Sequence, residues 1–233
     1  AIKFTHSEDP RKLEREAALM QRVAHAHVCQ LFEYHVTKDR RLCGMVLELC
    51  SGGTLREAIR GASDGSGRLR EFSVTRLAVH LLSALIHMHS QDVIHRDLKP
   101  SNIMLKEVDG ELLYKLIDLS ISAVDRDARP NVSDTLSTST TGLAAMLGTP
   151  HYMSPEQFTA GEVVTAQTDL WSLAVVMFEA LSGTLPFAAS ETADHVKIML
   201  AVLNAGMAAP RLEAVIEEVG AVSEPMCDFV STA

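Results

Sequence analysis

Residues 95–102 read His-Arg-Asp-Leu-Lys-Pro-Ser-Asn, and this short loop contains the side chains that phosphoryl transfer requires. The carboxylate of Asp97 can orient an attacking hydroxyl, and the cation of Lys99 can neutralise a moving phosphate. The side-chain oxygen of Asn102 can bind Mg²⁺, and Pro100 stiffens the backbone between these groups. The spacing therefore predicts a catalytic loop in which Asp97, Lys99 and Asn102 act together.

A second candidate metal ligand, Asp118, follows Asn102 by sixteen residues. Between them, two stretches rich in apolar residues flank Asp109-Gly110, a dipeptide typical of tight β-hairpins. Such a hairpin brings Asn102 and Asp118 side by side, and oxygen ligands of this kind bind Mg²⁺ together with substrate phosphates. The alternative, that Asp118 merely ends a strand, is disfavoured by the position of Asn102 at the other end of the hairpin.

The elements that must position these residues are mixed at the start of the chain and helical afterwards. Hydrophobic periodicity, capping residues and turn residues indicate where they lie. Strands are expected at residues 29–36 and 42–49, and helices at residues 10–23, 54–60, 72–90 and 169–181. Pro10 is expected at the first position of the first helix, and Gly183 is expected to end the last.

Composition narrows the class of protein. The net charge of −9 includes no basic stripe, so a nucleic-acid partner is not expected. The four cysteines have no Cys-x-x-Cys spacing, which favours a reducing compartment, and we predict a cytoplasmic location, with the nucleus second. No apolar run is long enough to span a membrane.

The histidines do not predict a metal site. The members of the pairs His25/His27 and His87/His89 are two residues apart, and on a helix this spacing does not place two side chains on the same face, where they could bind one metal ion.

Four motifs resemble those of serine/threonine protein kinases. Residues 95–102 are similar to the catalytic loop of that family, and residues 118–120 (Asp-Leu-Ser) stand where the family has Asp-Phe-Gly. Residues 148–156 (Gly-Thr-Pro-His-Tyr-Met-Ser-Pro-Glu) resemble the end of the activation segment. Residues 169–173 resemble the start of the buried central helix, whose first Asp bonds to the catalytic-loop backbone.

The resemblance implies an α+β fold with two lobes: a small β-rich N-lobe over residues 1–50 and a larger, mainly helical C-lobe over residues 51–233. It also implies transfer of the ATP γ-phosphate to Ser or Thr hydroxyls of protein substrates with Mg²⁺, and it leaves the oligomeric state open. The alternative is a pseudokinase that acts as a scaffold or allosteric module, which would need a defect at Ser120, where the family has glycine, or in the Gly-rich loop that the family places before Lys3. We expect the chain to be a fragment, since the arginine that pairs in the family with the glutamate at Glu156 would lie beyond residue 233.

The resemblance assigns the phosphate end of the nucleotide site to Lys3, the strand lysine that grips the α- and β-phosphates. Its expected partner is Glu16 on the first helix. Glu14 competes for this role, and because the two glutamates lie on nearly opposite faces only one of them can point inward. Glu16 is favoured because the resemblance places it nine residues before His25.

The adenine end is assigned in the same way. Leu47 would guard the back of the pocket, and Glu48 and Cys50 would bond to adenine through backbone atoms, so that their side-chain identity is expected to matter little. Thr54 would lie near the ribose, and Met104 with Ala1 would sandwich the adenine ring.

Regulation is expected in the segment before Gly148. Arg96 resembles the arginine that captures a loop phosphate in some kinases, making charge-assisted bonds that order the segment. The position three before Gly148 is Ala145, so the nearest upstream acceptors are Thr140 and Thr141, with Thr149 as a further regulatory candidate. The alternative, which we weight equally, is a solvated linker with Arg96 paired to an acidic side chain.

Overall fold

The structure is a computed structural model that describes residues 1–5, 10–37, 43–62, 65, 67–119, 123–124, 150–159, 162–187 and 195–205. The strands are β1 (Ile2–Thr5), β2 (Leu31–Val36), β3 (Cys43–Leu47), β4 (Val93–Ile94), β5 (Ile103–Val108), β6 (Glu111–Leu116) and β7 (Ala123–Val124). The helices are α1 (Pro10–Arg22), α2 (Leu55–Arg60), α3 (Glu71–Ser90), α4 (Pro155–Phe158), α5 (Ala166–Ser182) and α6 (His195–Ala205). Single 3₁₀ turns lie at Pro100–Asn102 and Pro150–Tyr152.

The first part of the chain forms a small antiparallel sheet with the strand order β1-β3-β2. Lys3 pairs with Met45 in the middle of this sheet. Helix α1 begins at Pro10, as predicted, because proline fixes a helical φ at a position whose N–H has no partner within the helix. One face of α1 is buried and packs toward β2 and β3.

The two predicted strands are shorter than expected. Strand β2 begins at Leu31 rather than residue 29, because the Cys29 N–H donates to the carbonyl of Leu116, at the end of β6, at 2.8 Å. Strand β3 ends at Leu47, after which the Glu48 N–H donates to the Gln30 carbonyl at 2.8 Å in an irregular pairing.

The later part of the chain is built on α3 and α5, which pack against each other. Buried residues of α3 recur every three or four positions, as in a helix with one face in a core; they are Val74, Leu77, Leu81, Leu85 and Met88. Helix α5 is buried on almost every side and ends at Gly183, whose φ of 76° is in the left-handed region. It begins at Ala166, three residues before the position expected from the sequence.

The predicted hairpin is present between β5 and β6. Ile103 pairs with Leu116 at one end and Val108 with Glu111 at the other. The turn residues Asp109 and Gly110 have φ values of 52° and 80°, the double left-handed turn for which Asp-Gly is selected.

One buried cluster contains residues of α1, β3, α3 and α5, so the small sheet and the helices share a continuous core. This arrangement is the α+β fold expected from the motifs. Within the described ranges, no helix combines the length and apolarity needed to cross a membrane.

Candidate active site

The catalytic-loop side chains converge on one carboxylate. Lys99 Nζ lies 2.6 Å from Asp97 Oδ2, and Asn102 Nδ2 donates to the same oxygen at 2.9 Å and to the Asp97 carbonyl at 2.8 Å. The Asp97 and Lys99 side chains are 15% and 17% exposed. Both donors use Oδ2, so Oδ1 is the carboxylate oxygen that they leave for an incoming hydroxyl.

Asp169 of α5 holds the loop backbone in place. Its Oδ2 accepts the His95 N–H and its Oδ1 accepts the Arg96 N–H, each at 2.9 Å, and His89 Nε2 lies 2.8 Å from Oδ2. Asp169 is fully buried, and Arg96 has a φ of 69°. A left-handed non-glycine residue is strained, and the paired bonds to Asp169 hold the loop in this conformation, as the family resemblance predicted for this aspartate.

His95 connects the catalytic loop to the residues before Asp118. Its Nδ1 accepts the Asp97 N–H at 3.3 Å, so the ring proton is on Nε2, which lies 3.3 Å from the Ile117 carbonyl. The ring is fully buried. This histidine therefore ties the loop to the far end of the hairpin.

The hairpin brings the two candidate metal ligands together, as the sequence predicted. The Ile117 N–H donates to the Asn102 carbonyl at 2.9 Å, directly beside Asp118. Asn102 uses its amide nitrogen for Asp97, which leaves its Oδ1 as the side-chain atom available to a cation. Asp118 has a φ of 65°, a second strained residue at this site. Two oxygen donors, one directly before β5 and one shortly after β6, fit a Mg²⁺ ion that also binds phosphates.

Helix α1 turns Glu16 inward and Glu14 outward. Glu16 is 4% exposed, on the face that also buries Leu13 and Met20, whereas Glu14 is exposed. This burial agrees with the preference for Glu16. The Lys3 side chain lies outside the described part of the chain, so the expected pairing of Lys3 with Glu16 stays a prediction.

The residues assigned to the adenine end form two contacts. The Leu47 N–H donates to the Ala1 carbonyl at 2.7 Å, and Thr54 forms an isolated β-bridge with Met104. Thr54 also caps α2, because its Oγ1 accepts the Glu57 N–H at 3.2 Å while Glu57 Oε2 accepts the Thr54 N–H at 2.7 Å. The Thr54 hydroxyl is therefore already used to start the helix.

The Glu48 side chain contradicts the expectation that its identity matters little. Its carboxylate lies 2.7 Å from Lys115 Nζ and 2.8 Å from Lys106 Nζ, and it accepts the Gln30 N–H at 3.1 Å. Burial alone would raise the pKa of Glu48, but the bonds from Lys106, Lys115 and Gln30 together hold it below its ordinary value. The carboxylate thus joins the segment after β3, residues 48–53, which we call the hinge, to β5 and β6.

Cys50 is buried against Cys29 behind the hinge. A hydrogen bond between the two thiols lowers the pKa of Cys50 to about 7 and raises the pKa of Cys29. Cys29 Sγ also lies 3.7 Å from the Glu48 carbonyl. The side chain of Cys50 is therefore buried in contact with Cys29.

Several residues missed by the sequence reasoning support the loop that follows Pro150. Tyr152 Oη donates to Glu179 Oε2 at 2.6 Å and accepts from Arg56 Nη2 at 2.7 Å, and the Ser172 hydroxyl donates to the Tyr152 carbonyl at 2.7 Å. Burial, followed by the Glu179 charge, raises the pKa of Tyr152. No local pattern links residues this far apart in the chain.

Gln157 is a missed residue with a recognisable signal. Ser154 and Gln157 form a capping box, the Ser-x-x-Gln spacing that marks a helix start. Gln157 Nε2 also donates to the Arg96 carbonyl at 3.0 Å, so the start of α4 contacts the catalytic loop.

Glu156, whose family arginine partner is the basis for expecting a fragment, is half-buried, and its carboxylate accepts a hydrogen bond from the Thr168 hydroxyl. Other predicted sites, namely Ser120, Thr140, Thr141 and Thr149, lie outside the described residues.

Comparison with known proteins agrees with this geometry. A family model described as the protein kinase domain matches residues 1–233. The CBL-interacting protein kinase 22 of Oryza sativa subsp. japonica is 38% identical over 179 residues, which cover 76% of this chain and 37% of that protein. The CBL-interacting serine/threonine-protein kinase 9 of Arabidopsis thaliana is 34% identical over 176 residues, covering 76% and 35%.

A relative from an animal is similar to the same extent. The ovarian-specific serine/threonine-protein kinase Lok of Drosophila melanogaster is 33% identical over 187 residues, which cover 78% of this chain and 35% of that protein. The chain therefore spans about a third of the length of these curated relatives. Because the family model matches along its whole length, the chain belongs to the protein kinase family.

Proposed function

We propose that this domain transfers the γ-phosphate of ATP to Ser and Thr hydroxyls of protein substrates in the presence of Mg²⁺. The observation that carries the proposal is the Asp97 carboxylate, held by Lys99 and Asn102 next to Asp118. The names of the relatives, several of which are serine/threonine-protein kinases, support the choice of acceptor.

Bound ATP would supply the phosphoryl group, and bound Mg²⁺ would neutralise its charge. Asn102 through Oδ1 and Asp118 through its carboxylate would hold the metal. Both are oxygen donors, which Mg²⁺ prefers.

Asp97 would orient the substrate hydroxyl and accept its proton as the oxygen attacks. Its Oδ2 is held by Lys99 and Asn102, so the carboxylate cannot rotate freely, and this fixed geometry favours an in-line approach. Lys99 would also stabilise the charge on the transferred group.

The remaining assigned residues would hold the nucleotide. Lys3 and Glu16 would position the phosphates, and the hinge backbone at Glu48 and Cys50 would bind adenine beside Leu47. Met104 and Ala1 would contact the ring, and Thr54 would lie near the ribose.

The deciding experiment compares Asp97→Asn with Asp109→Asn. Asp109 is an exposed residue at the turn of the hairpin, at the end opposite Asn102, and its φ of 52° is a conformation that asparagine tolerates, so its variant controls for the loss of one carboxylate away from the site. We expect Asp97→Asn to lower kcat by about 10²-fold or more while ATP affinity is nearly unchanged, because the carboxylate acts in the transition state. Radiolabelled phosphate transfer to peptides measures this effect.

Equal turnover in Asp97→Asn and the parent would overturn the assignment. ATP binding without phosphate transfer, in the parent and both variants, would instead favour a pseudokinase. The cytoplasmic location remains a prediction, and imaging of the tagged protein tests it.

Regulation by phosphorylation is part of the proposal. A phosphate on Thr140, Thr141 or Thr149 would pair with Arg96 and order the loop before Pro150. We expect mass spectrometry of the active protein to find phosphate on one of these residues, and we expect Thr140→Ala/Thr141→Ala to lower activity. Full activity with no phosphate between residues 133 and 149 would support the solvated linker instead.

A further inference from the structure

Four histidines form a continuous row of rings, the histidine row. It consists of His25, His27, His80 and His87. The rings of His27 and His80 stack at 4.0 Å with 16° between their planes, and those of His25 and His87 stack at 5.2 Å with 21°. His25 and His27 are 5.6 Å apart in a tilted arrangement that joins the two stacks. None of these residues contributes to the proposed catalytic chemistry.

The histidine row lies where residues after α1 meet the hairpin and α3. The Leu116 N–H donates to the His27 carbonyl at 2.9 Å, and the Cys29 N–H donates back to the Leu116 carbonyl at 2.8 Å. His80 and His87 belong to α3. The row therefore spans the joint between the small sheet's α1–β2 connection and the helical part of the molecule.

Histidine side chains also cover the outer edge of β6. The Tyr114 N–H donates to His80 Nδ1 at 3.2 Å, and His27 Nδ1 lies 3.1 Å from the Tyr114 carbonyl. Backbone groups at a strand edge must find partners when they are buried. At Tyr114 these partners are imidazoles rather than a neighbouring strand.

The hydrogen bonds fix the protonation state of three rings. His80 Nδ1 and His25 Nδ1 each accept a backbone N–H, from Tyr114 and from His27, so neither nitrogen can carry a proton. His25 Nε2 then holds the ring proton and donates to the Ser83 hydroxyl at 3.2 Å. His27 Nδ1 must carry a proton, because it faces a carbonyl.

Protonation of the row would therefore break contacts as well as add charge. A proton on His80 Nδ1 or His25 Nδ1 would point at a backbone N–H, and the bond would be lost. A second proton on His27 would place charge on a ring stacked 4.0 Å from His80. Each event disrupts the same joint.

Burial and most of the neighbouring charges lower the pKa values of these histidines, and Glu111 is the one neighbouring charge that raises a pKa, that of His80. Burial first, then His27 and Arg76, lowers the pKa of His80 to about 4, although Glu111 raises it. Burial, His27, His87 and Lys115 lower the pKa of His25. Burial and Lys115 lower the pKa of His27, against the bond to Tyr114. The aromatic ring of Tyr114 also lies beside His80, at 5.9 Å.

We propose that the histidine row is a proton-sensitive latch that keeps the α1–β2 connection closed on β6 and α3 at neutral pH and releases it on acidification. In the part of the chain that the structure describes, no three His, Cys, Asp or Glu side chains form a group that could hold a metal ion. The row acts through the Nδ1 atoms of His25 and His80, which accept backbone N–H groups only while those rings are neutral.

The direction of the pH effect follows from the lowered pKa values. The unfolded chain takes up protons on these histidines near pH 6.5, before the folded protein does. The stabilisation is therefore complete above about pH 6.5 and is lost progressively as the pH falls toward 4. Protonation of His80 in the unfolded chain alone lowers the folded-to-unfolded ratio by up to roughly tenfold at about pH 5.5.

The test uses asparagine, which keeps the Nδ1-side bonds but cannot be protonated. In His27→Asn/His80→Asn, the amide nitrogen at residue 27 can donate to the Tyr114 carbonyl, and the amide oxygen at residue 80 can accept the Tyr114 N–H. His35→Asn is the matched control, because His35 is exposed on β2 and contacts Glu33 instead. Urea unfolding at pH 7.5 and 5.5 gives the stability of each protein.

We expect the folded-to-unfolded ratio of the parent and of His35→Asn to fall between pH 7.5 and pH 5.5. In the double variant this ratio should fall by a factor that is roughly tenfold smaller. Hydrogen-exchange protection of the Cys29 and Leu116 amides should fall at pH 5.5 in the parent but not in the double variant. An equal loss in all three proteins, or unchanged protection in the parent, would overturn the proposal.

A measurement on the unmodified protein keeps the test decisive if the double variant does not fold. Imidazole NMR titration should show His80 still neutral at pH 6, and the pKa values of His25 and His27 should lie below the ordinary value for histidine. Ordinary titration of these rings near pH 6.5 would overturn the latch. None of these readouts depends on phosphate transfer, so they stand apart from the proposed catalytic function.

Discussion

At the scale of single residues, the site contains two strained backbones, and both have identifiable support. Arg96 and Asp118 adopt φ values of 69° and 65°, which cost non-glycine residues of the order of 1–2 kcal/mol each. Asp169 holds the first through its bond to the Arg96 N–H, and the bond between Ile117 and Asn102 lies directly before the second. Strained backbones of this kind are concentrated at functional sites, and these two lie in the catalytic loop and one residue after the bond between Ile117 and Asn102.

The role of Asp118 can be separated from its backbone strain. Asp118→Ala and Asp118→Asn should both remove the Mg²⁺-dependent part of the thermal shift produced by ATP, because both lose the charged ligand. Only the alanine variant should also lose about 1 kcal/mol of stability, since asparagine tolerates the left-handed region. Differential scanning fluorimetry with ATP, with and without Mg²⁺, measures both effects.

Asp92→Ala is the matched control for this prediction. Asp92 has a φ of 56° at the end of α3, so the control bears the same strain away from the site. It should keep the Mg²⁺-dependent shift. A shift that survives in Asp118→Ala would exclude Asp118 as the ligand.

At the scale of elements, the end of the hinge, Gly52 and Gly53, is paired with β5 as if it were a short strand. The Gly52 N–H donates to the Leu105 carbonyl, and the Leu105 N–H donates to the Gly53 carbonyl, each at 2.9 Å. A Cβ at Gly52 would lie 2.8 Å from both the Leu105 Cβ and the Leu105 carbonyl oxygen. The close approach of two backbones, rather than an unusual φ, therefore requires glycine at this position.

Gly52→Ala should displace the hinge from β5 and cost about 1–3 kcal/mol, as for other overpacked sites. If the hinge binds adenine as proposed, the KM for ATP should rise as well. Gly110→Ala separates a general loss of stability from displacement of the hinge. Gly110 has a φ of 80°, which alanine adopts only with strain, but an added Cβ there has nothing within 4 Å. That variant should lose stability without a change in KM, and a Gly52→Ala protein as stable as the parent would contradict the clash.

At the scale of the whole molecule, Glu48 connects three parts of the fold. Its carboxylate accepts from Gln30 beside the small sheet and from Lys106 and Lys115 on the hairpin. Lys115 is only 8% exposed, whereas Lys106 is 31% exposed. Removal of the carboxylate would leave the Lys115 charge buried without this partner, which is the costly case for ion pairs.

Glu48→Gln should lower the free energy of unfolding by about 3 kcal/mol at neutral pH. Because the pKa of Glu48 is lowered in the folded state, its stabilisation is complete above its ordinary pKa of 4.5 and is lost as the pH falls below that value. The difference between parent and variant should therefore shrink in acid. Urea unfolding from pH 7 to pH 4 measures it.

Glu33→Gln is the matched control, because Glu33 is exposed on β2 and its carboxylate pairs with the exposed His35 at 2.8 Å. It should change stability by less than about 1 kcal/mol. A Glu48→Gln protein that behaves like Glu33→Gln would show that the three contacts contribute little.

The sequence by itself determined the parts of this protein that depend on local chemistry. Asp109-Gly110 specified the hairpin because few residues adopt consecutive left-handed angles. Pro10 and Gly183 marked a helix start and a helix end for equally local reasons. The spacing from Asp97 to Asn102 identified the catalytic loop, since both side chains act within one turn of backbone.

The tertiary structure alone decided which distant side chains meet. The contacts of Glu48 with Lys115, of Tyr152 with Glu179 and of His27 with His80 join residues far apart in the chain. Periodicity shows which face of an element is buried but not which partner covers it. That choice depends on how the small sheet, the hairpin and the helices pack together, and no short stretch of sequence records it.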